Sequence, residues 1–235
     1  MGFYYLEGIV KTKETQEVHP PQEANLPQKR QLPSSPRLVA IIGAKATGKD
    51  VLVHYLVEHY GAQAFEVGAF ARKLVTEVEE NEPHLQYDTS AKNLAHLGVE
   101  YVMIRLVAAI INLINKQEQL PKVLVITGVR TPTEAAVLKT HFGSDLLLVY
   151  IKGGSEETRY ARIQSRSLPT DPHNFQDFRQ QDASLKSVYR VTETAVLADV
   201  TLWNKGPLEA YYQQIERYVV PHLFPQTNTH IGGIG

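Results

Sequence analysis

The chain has 235 residues, 43% of them hydrophobic, with 24 Lys and Arg against 25 Asp and Glu and a formal net charge of −1. That is apolar material enough for one large α/β domain with an extension, and too balanced a charge for a bulk field that would hold nucleic acid or an anionic membrane. The absence of cysteine excludes disulfides, thiolate catalysis and cysteine-ligated zinc.

Residues 1–37 differ from the rest. An apolar patch (Phe3, Tyr4, Tyr5, Leu6, Ile9, Val10) leads into a polar segment punctuated by Pro20, Pro21, Pro27, Pro33 and Pro36, a composition that does not bury a core easily. A largely irregular extension is expected here, its apolar start suited to docking on the domain or on a second subunit, as in a homodimer. Met1–Val10 lacks the basic start of a secretory signal. The most apolar run, Tyr101–Ile114, is too short for a bilayer and carries Arg105 and Asn112. A cytoplasmic protein with no membrane partner is the expectation.

From Leu38 strands and helices alternate, the pattern of a parallel sheet covered on both faces. The apolar run Leu38–Ile42 reads as a strand that stops at Gly43, and a helix over 48–60 follows with Val51, Leu52, Tyr55 and Leu56 on one stripe. The spacing predicts a strand over 64–67 and a helix over 68–79. After a break at Pro83 and Asp88, Thr89 or Ser90 caps a helix carrying Leu94, Leu97, Tyr101, Ile104, Ala108 and Ile111 at steps of three and four. Then come a strand over 122–127, a helix over 132–141, a strand over 146–151, a helix over 155–166, a polar loop with Pro169 and Pro172, a helix over 175–187, a strand over 199–202 and a helix over 207–220. The main domain spans 38–222, and 223–235 reads as a loose tail.

Between the first strand and its helix, Gly43-Ala44-Lys45-Ala46-Thr47-Gly48-Lys49 has the spacing of a phosphate-binding loop, with Asp50 where Ser or Thr is usual. The glycines let several N–H groups point at phosphate oxygens. The helix start adds roughly half a unit of positive charge, and Lys49 a full one. A loop of this kind says that a nucleotide is bound; the fate of its γ-phosphate depends on cations elsewhere. Arg130 follows the 122–127 strand, where ligands gather in open parallel sheets; it suits a second substrate's phosphate, or is a solvated loop arginine. Arg72 lies one turn into its helix. Arg105 interrupts an apolar helix, either paired with Glu100 or facing a substrate. Arg159, Arg162 and Arg166 share one helix face that runs into the proline-bounded loop, as a solvated basic stripe or as a closing lid over about 162–180.

With its loop ending Gly48-Lys49-Asp50, the chain resembles the P-loop nucleoside monophosphate kinase group. The match is nearest to the deoxynucleoside monophosphate kinases and animal phosphomevalonate kinases, whose VRxPxE pattern is similar to Val129–Glu134 and whose acceptor-side helix is similar to Thr89–Glu100. Ala198–Glu209 (ADVTLWNKGPLE) also resembles dephospho-CoA kinases and their archaeal relatives. The resemblance covers about 38–220. It implies a three-layer P-loop NTPase fold, a five-stranded mostly parallel sheet with helices on both faces and a small lid, and an enzyme using ATP and Mg2+. By it, Lys49 and the loop residues Gly43, Ala44, Lys45, Ala46, Thr47, Gly48 and Asp50 hold ATP, and Arg130, with Arg72 and Arg105, binds a small-molecule phosphate acceptor. Arg159, Arg162 and Arg166 hold the transferring group, and Asn204 and Lys205 lie near the adenine.

The implied acceptor is a nucleoside or deoxynucleoside monophosphate, with a dephospho-CoA-like metabolite as the alternative. One departure stands out: the acid that precedes VR in the family is Gly128 here, after Thr127. Either Asp50 supplies the missing charge to magnesium, or the chain is an ATP-binding regulatory protein that has lost transfer.

Overall fold

The computed structural model describes residues 36–81, 98–116, 119–166 and 171–224. In chain order the elements are β1 (Arg37–Ile42), α1 (Lys49–Tyr60), β2 (Gln63–Glu66), α2 (Val67–Asn81), α3 (Val99–Lys116), β3 (Val123–Val129), α4 (Pro132–Phe142), β4 (Leu146–Lys152), α5 (Glu156–Arg166), α6 (Phe175–Tyr189), α7 (Val191–Val196), β5 (Val200–Trp203), α8 (Leu208–Tyr218) and α9 (Val220–Leu223). The strands form one sheet in the order β2-β3-β1-β4-β5, and every neighbouring pair is parallel.

β1 lies at the centre, and its apolar run is unbroken because both of its faces are covered. Leu38, Ala40 and Ile42 face one core with Met103, Leu106 and Ile110 of α3 and Leu138 of α4. Val39 and Ile41 face the other, with Leu52 and Leu56 of α1 and Tyr211 and Ile215 of α8. The result is helix, sheet, helix in three layers, with the carboxyl ends of all five strands on one edge. Among the described residues no helix is long and apolar enough to cross a membrane.

Most predicted elements appear within two residues of their expected ends, and the differences have local causes. β3 runs two residues further than its apolar pattern, through Gly128 to Val129. The helix expected from Thr89 falls partly outside the described residues; its described part begins at Val99. α7 has no counterpart in the predicted pattern; it follows Arg190, whose φ of 54° ends α6 and redirects the chain. α4 starts where its sequence says it should, because Thr131 and Glu134 form a capping box with Pro132 in the first turn. The fold also extends past 222: Leu223 is buried in the second core and Phe224 stacks on Tyr60.

Candidate functional site

The loop from Gly43 to Gly48 leaves the carboxyl end of β1 and delivers the chain into α1. Gly48 has φ 99°, and a Cβ there would lie 2.1 Å from Asn204 Nδ2, so the position admits only glycine. Thr47 is buried, and its hydroxyl donates to the Ala44 carbonyl at 3.1 Å. Lys49 Nζ donates to the carbonyls of Gly43 (3.0 Å) and Ala44 (2.7 Å), closing the mouth of the loop from within.

The electrostatics around Lys49 are one-sided. Burial lowers its ammonium to a pKa of about 8; Asp50 pulls the other way, and Arg130, Arg166 and Arg159 add to the drop. Lys49 thus shares a field with Arg130, Arg166 and Arg159 at the positive end of α1, and the carboxylates in it are Asp50, Asp171 against Arg166 and Asp182 against Arg159. An anion of high charge is what such a field accommodates.

The arginines reach this place by different routes. Arg166, at the end of α5, forms a two-pronged pair with Asp171 (3.0 and 2.7 Å), which raises its pKa together with Asp50. Asp171 also lies 3.6 Å from Lys45 Nζ. Arg130 stands just past β3 with its guanidinium 5.0 Å from the centre of the Tyr189 ring. Its backbone is fastened on both sides, the N–H donating to Glu134 and the carbonyl accepting from Thr194 Oγ1 at 2.8 Å. Burial raises the Glu134 carboxyl even though these amides oppose the rise.

Arg159 and Arg162 bond to the loop's own backbone: Arg159 Nη1 to the Lys45 carbonyl at 3.2 Å, Arg162 Nη1 to the Ala46 carbonyl at 3.3 Å. Asn204 is buried beneath the loop, its Nδ2 donating to the Thr47 carbonyl at 3.0 Å. Lys205 instead sits over the Trp203 ring, shared with Lys152. Arg72 pairs with Glu66 at 3.6 Å. Arg105 donates to the Tyr101 hydroxyl at 3.3 Å and makes no ion pair with Glu100.

Gly128 has a backbone reason for being glycine. Ile41 pairs with Thr127 and Ile42 with Val129, so Gly128 is an extra residue in the ladder, a bulge with φ 87°. A side chain there is strained whatever its charge. The space it leaves is approached by Glu66, at the end of the adjacent strand, whose Cγ lies 3.8 Å from where a Gly128 Cβ would be. Glu66, Asp171 and Asp182 are the acids that sequence reasoning missed. Glu66 and Asp182 act through packing between elements: the Asp182 carboxylate meets Arg159 from 23 residues away, a separation with no local signal. Among the described residues no cluster of three or more His, Asp or Glu could hold a metal alone. Magnesium bound with a polyphosphate asks less of a protein, one or two carboxylates with phosphate and water oxygens completing the shell, and the exposed Asp50 at the start of α1 fits that share.

No family model matches the chain. It is similar to a UPF0200 protein of Staphylothermus marinus, 26% identical over 177 residues that span 75% of this chain and 87% of the relative. It is likewise similar to one of Thermococcus onnurineus, 22% identical over 183 residues, 77% of this chain and 96% of the relative. Among solved structures, a shikimate kinase from Bacteroides thetaiotaomicron superposes with a TM-score of 0.50 at 8% identity, over 77% of this chain and 97% of that one. A shikimate kinase from Acinetobacter baumannii in complex with shikimate gives a TM-score of 0.48 at 16% identity, over 80% and 94%. At these identities the likeness extends to the architecture alone: the chain shares the three-layer α/β fold of the shikimate kinase from Bacteroides thetaiotaomicron.

Proposed function

We propose that this protein is an ATP-dependent phosphotransferase that moves the γ-phosphate of ATP onto a phosphorylated small molecule, a nucleoside or deoxynucleoside monophosphate first among them. The observation that carries the reading is a buried Lys49 at the head of a glycine-bounded loop, its Nζ against the loop carbonyls of Gly43 and Ala44 and within the field of Arg130 and Arg166. The loop amides and Lys49 would seat the β- and γ-phosphates, and Arg166 would meet the charge that spreads over the transferring group. Arg130, beyond β3 on a backbone fixed by Glu134 and Thr194, would orient the acceptor's phosphate for in-line attack. A phosphate acceptor is already an anion near neutral pH and needs no protein base. Magnesium, when bound with ATP, would neutralise charge on the β- and γ-oxygens, with Asp50 holding its water shell.

The test is ATP consumption measured against a panel of nucleoside monophosphates, deoxynucleoside monophosphates and other phosphorylated metabolites, dephospho-CoA included. At least one acceptor should exceed the rate with water, Lys49→Ala should abolish the rate, and Arg130→Ala should cost about a hundredfold to a thousandfold in kcat/KM for the acceptor. A protein that binds ATP yet transfers to no acceptor contradicts the kinase reading. A second reading, an ATP-binding regulatory module, is favoured by one feature: β3 ends in a glycine bulge where a kinase would carry a carboxylate. Under that reading Arg130→Ala leaves ATP binding and partner binding intact.

A further inference from the structure

Arg159 and Arg162 lie one turn apart on α5, and their guanidiniums are occupied. Arg159 is 4% exposed, and both its terminal nitrogens bond the Asp182 carboxylate at 2.6 Å. Phe178 packs 5.1 Å beneath the guanidinium, and Lys186 Nζ lies 2.7 Å from the same carboxylate, which is 2% exposed. Arg159 Nη1 also donates to the Lys45 carbonyl. Arg162 donates to the carbonyls of Ala46, Gly153 (3.0 Å) and Asn204 (2.8 Å), and Asn204 in turn donates to the Thr47 carbonyl.

Three consecutive peptide units of the loop therefore present their carbonyls to three side-chain donors. No described peptide bond is cis, and in a planar trans peptide the N–H points opposite to the C=O. The N–H groups of Ala46, Thr47 and Gly48 are thereby turned together to the other face of the loop, the arrangement of an anion nest. Ala46 supplies independent support. Its φ of 59° is a left-handed conformation that alanine does not hold unaided, so the surroundings hold it, and the groups in contact with its carbonyl are those of Arg162.

The geometry points to Arg159 and Arg162 as positioning residues. They grip the carbonyl side of the phosphate loop so that its amides stay aimed at polyphosphate, and Asp182, buried in α6, fixes Arg159 for that task. This rests on the reading of the loop as an ATP site. It gives α6, an element outside the loop, control of phosphate affinity, and it leaves Arg166 as the arginine of α5 that meets phosphate.

The test turns on a sign. Were Arg159 a direct phosphate contact, neutralising its partner by Asp182→Asn would leave polyphosphate binding unchanged or tighten it. As a clamp, the same substitution should weaken tripolyphosphate and ATP roughly tenfold to a hundredfold, the cost of losing a charge-assisted bond that orders the site, while adenosine affinity stays the same. General damage to the fold would lower adenosine and tripolyphosphate binding together. Titration calorimetry with tripolyphosphate, ATP and adenosine, beside circular dichroism and thermal denaturation, reads each of these. Breaking one side of a buried pair leaves a charge uncompensated and can unfold a protein. Arg159→Met with Asp182→Leu, which removes both charges and keeps the volume, is therefore measured in parallel, with the same selective loss expected. If the native protein binds tripolyphosphate and either folded variant binds it equally well, the clamp is wrong and the kinase reading stands. If the native protein binds neither ATP nor tripolyphosphate, the loop reading fails and the clamp falls with it.

Discussion

The surroundings of Lys49 alter its chemistry, and the alteration has a pH signature. Its charged form is disfavoured by burial and by three guanidiniums, so in the free protein the ammonium titrates near pH 8. A polyphosphate placed against it favours the charged form and raises that pKa. Binding therefore takes up no proton from Lys49 well below pH 8, and takes up one proton above it. Affinity should be flat from pH 6.5 to about 7.5 where the nucleotide's own charge is constant, then fall by up to about tenfold per unit as pH rises above 8. Calorimetry at pH 9 in buffers of different ionisation enthalpy should detect the uptake. In Lys49→Ala both the slope and the uptake should vanish; a native protein with pH-independent affinity between 7.5 and 9.5 would contradict the placement of Lys49 against phosphate.

At the level of elements, the end of β3 shows what a sequence conceals. Read along the chain, Gly128 is an acid that has been lost; in the sheet it is a bulge residue at φ 87° whose conformation no acid takes up comfortably. Gly128→Asp should therefore not behave as a repair. It should lower stability by about 1 to 2 kcal/mol from backbone strain alone, seen as a shift in urea midpoint without a change in slope. A variant of unchanged or increased stability would remove the conformational explanation.

The same contrast runs through the rest of the chain. The central strand and α1 were legible because each is specified locally, by an unbroken apolar run and a stripe at helical spacing. Gly48, in the loop between β1 and α1, was legible because its spacing encodes its geometry. α7 was not, being one short helix without room for a period. Nor was the pairing of Arg159 with Asp182, which exists only because α5 and α6 pack together, nor the approach of Glu66 to the Gly128 bulge, which comes from the register of β2 on β3. A cation's type and spacing are written locally, while the acid that directs it is chosen by the fold.

At the scale of the whole molecule the loop is a meeting point for elements far apart in the chain. Its ends belong to β1 and α1, its carbonyls are held by α5 and by Asn204 after β5, and the Tyr211 hydroxyl of α8 lies 3.4 Å from the Gly48 carbonyl beneath it. A ligand that binds the loop therefore binds the folded state and has no counterpart in the unfolded chain, so its free energy of binding is added to that of folding. At a hundredfold excess over Kd this amounts to about 2.7 kcal/mol, which for a domain of this size should raise Tm by roughly 5–10 °C. The increment should appear with ATP and with tripolyphosphate at pH 7, shrink at pH 9.5 as Lys49 loses its proton, and be absent for Lys49→Ala at the same concentrations. Differential scanning calorimetry across that grid separates the contributions. An increment from ATP that survives both high pH and the loss of Lys49 would mean that the nucleotide binds elsewhere, through its base, and that the loop is not what couples ligand to fold.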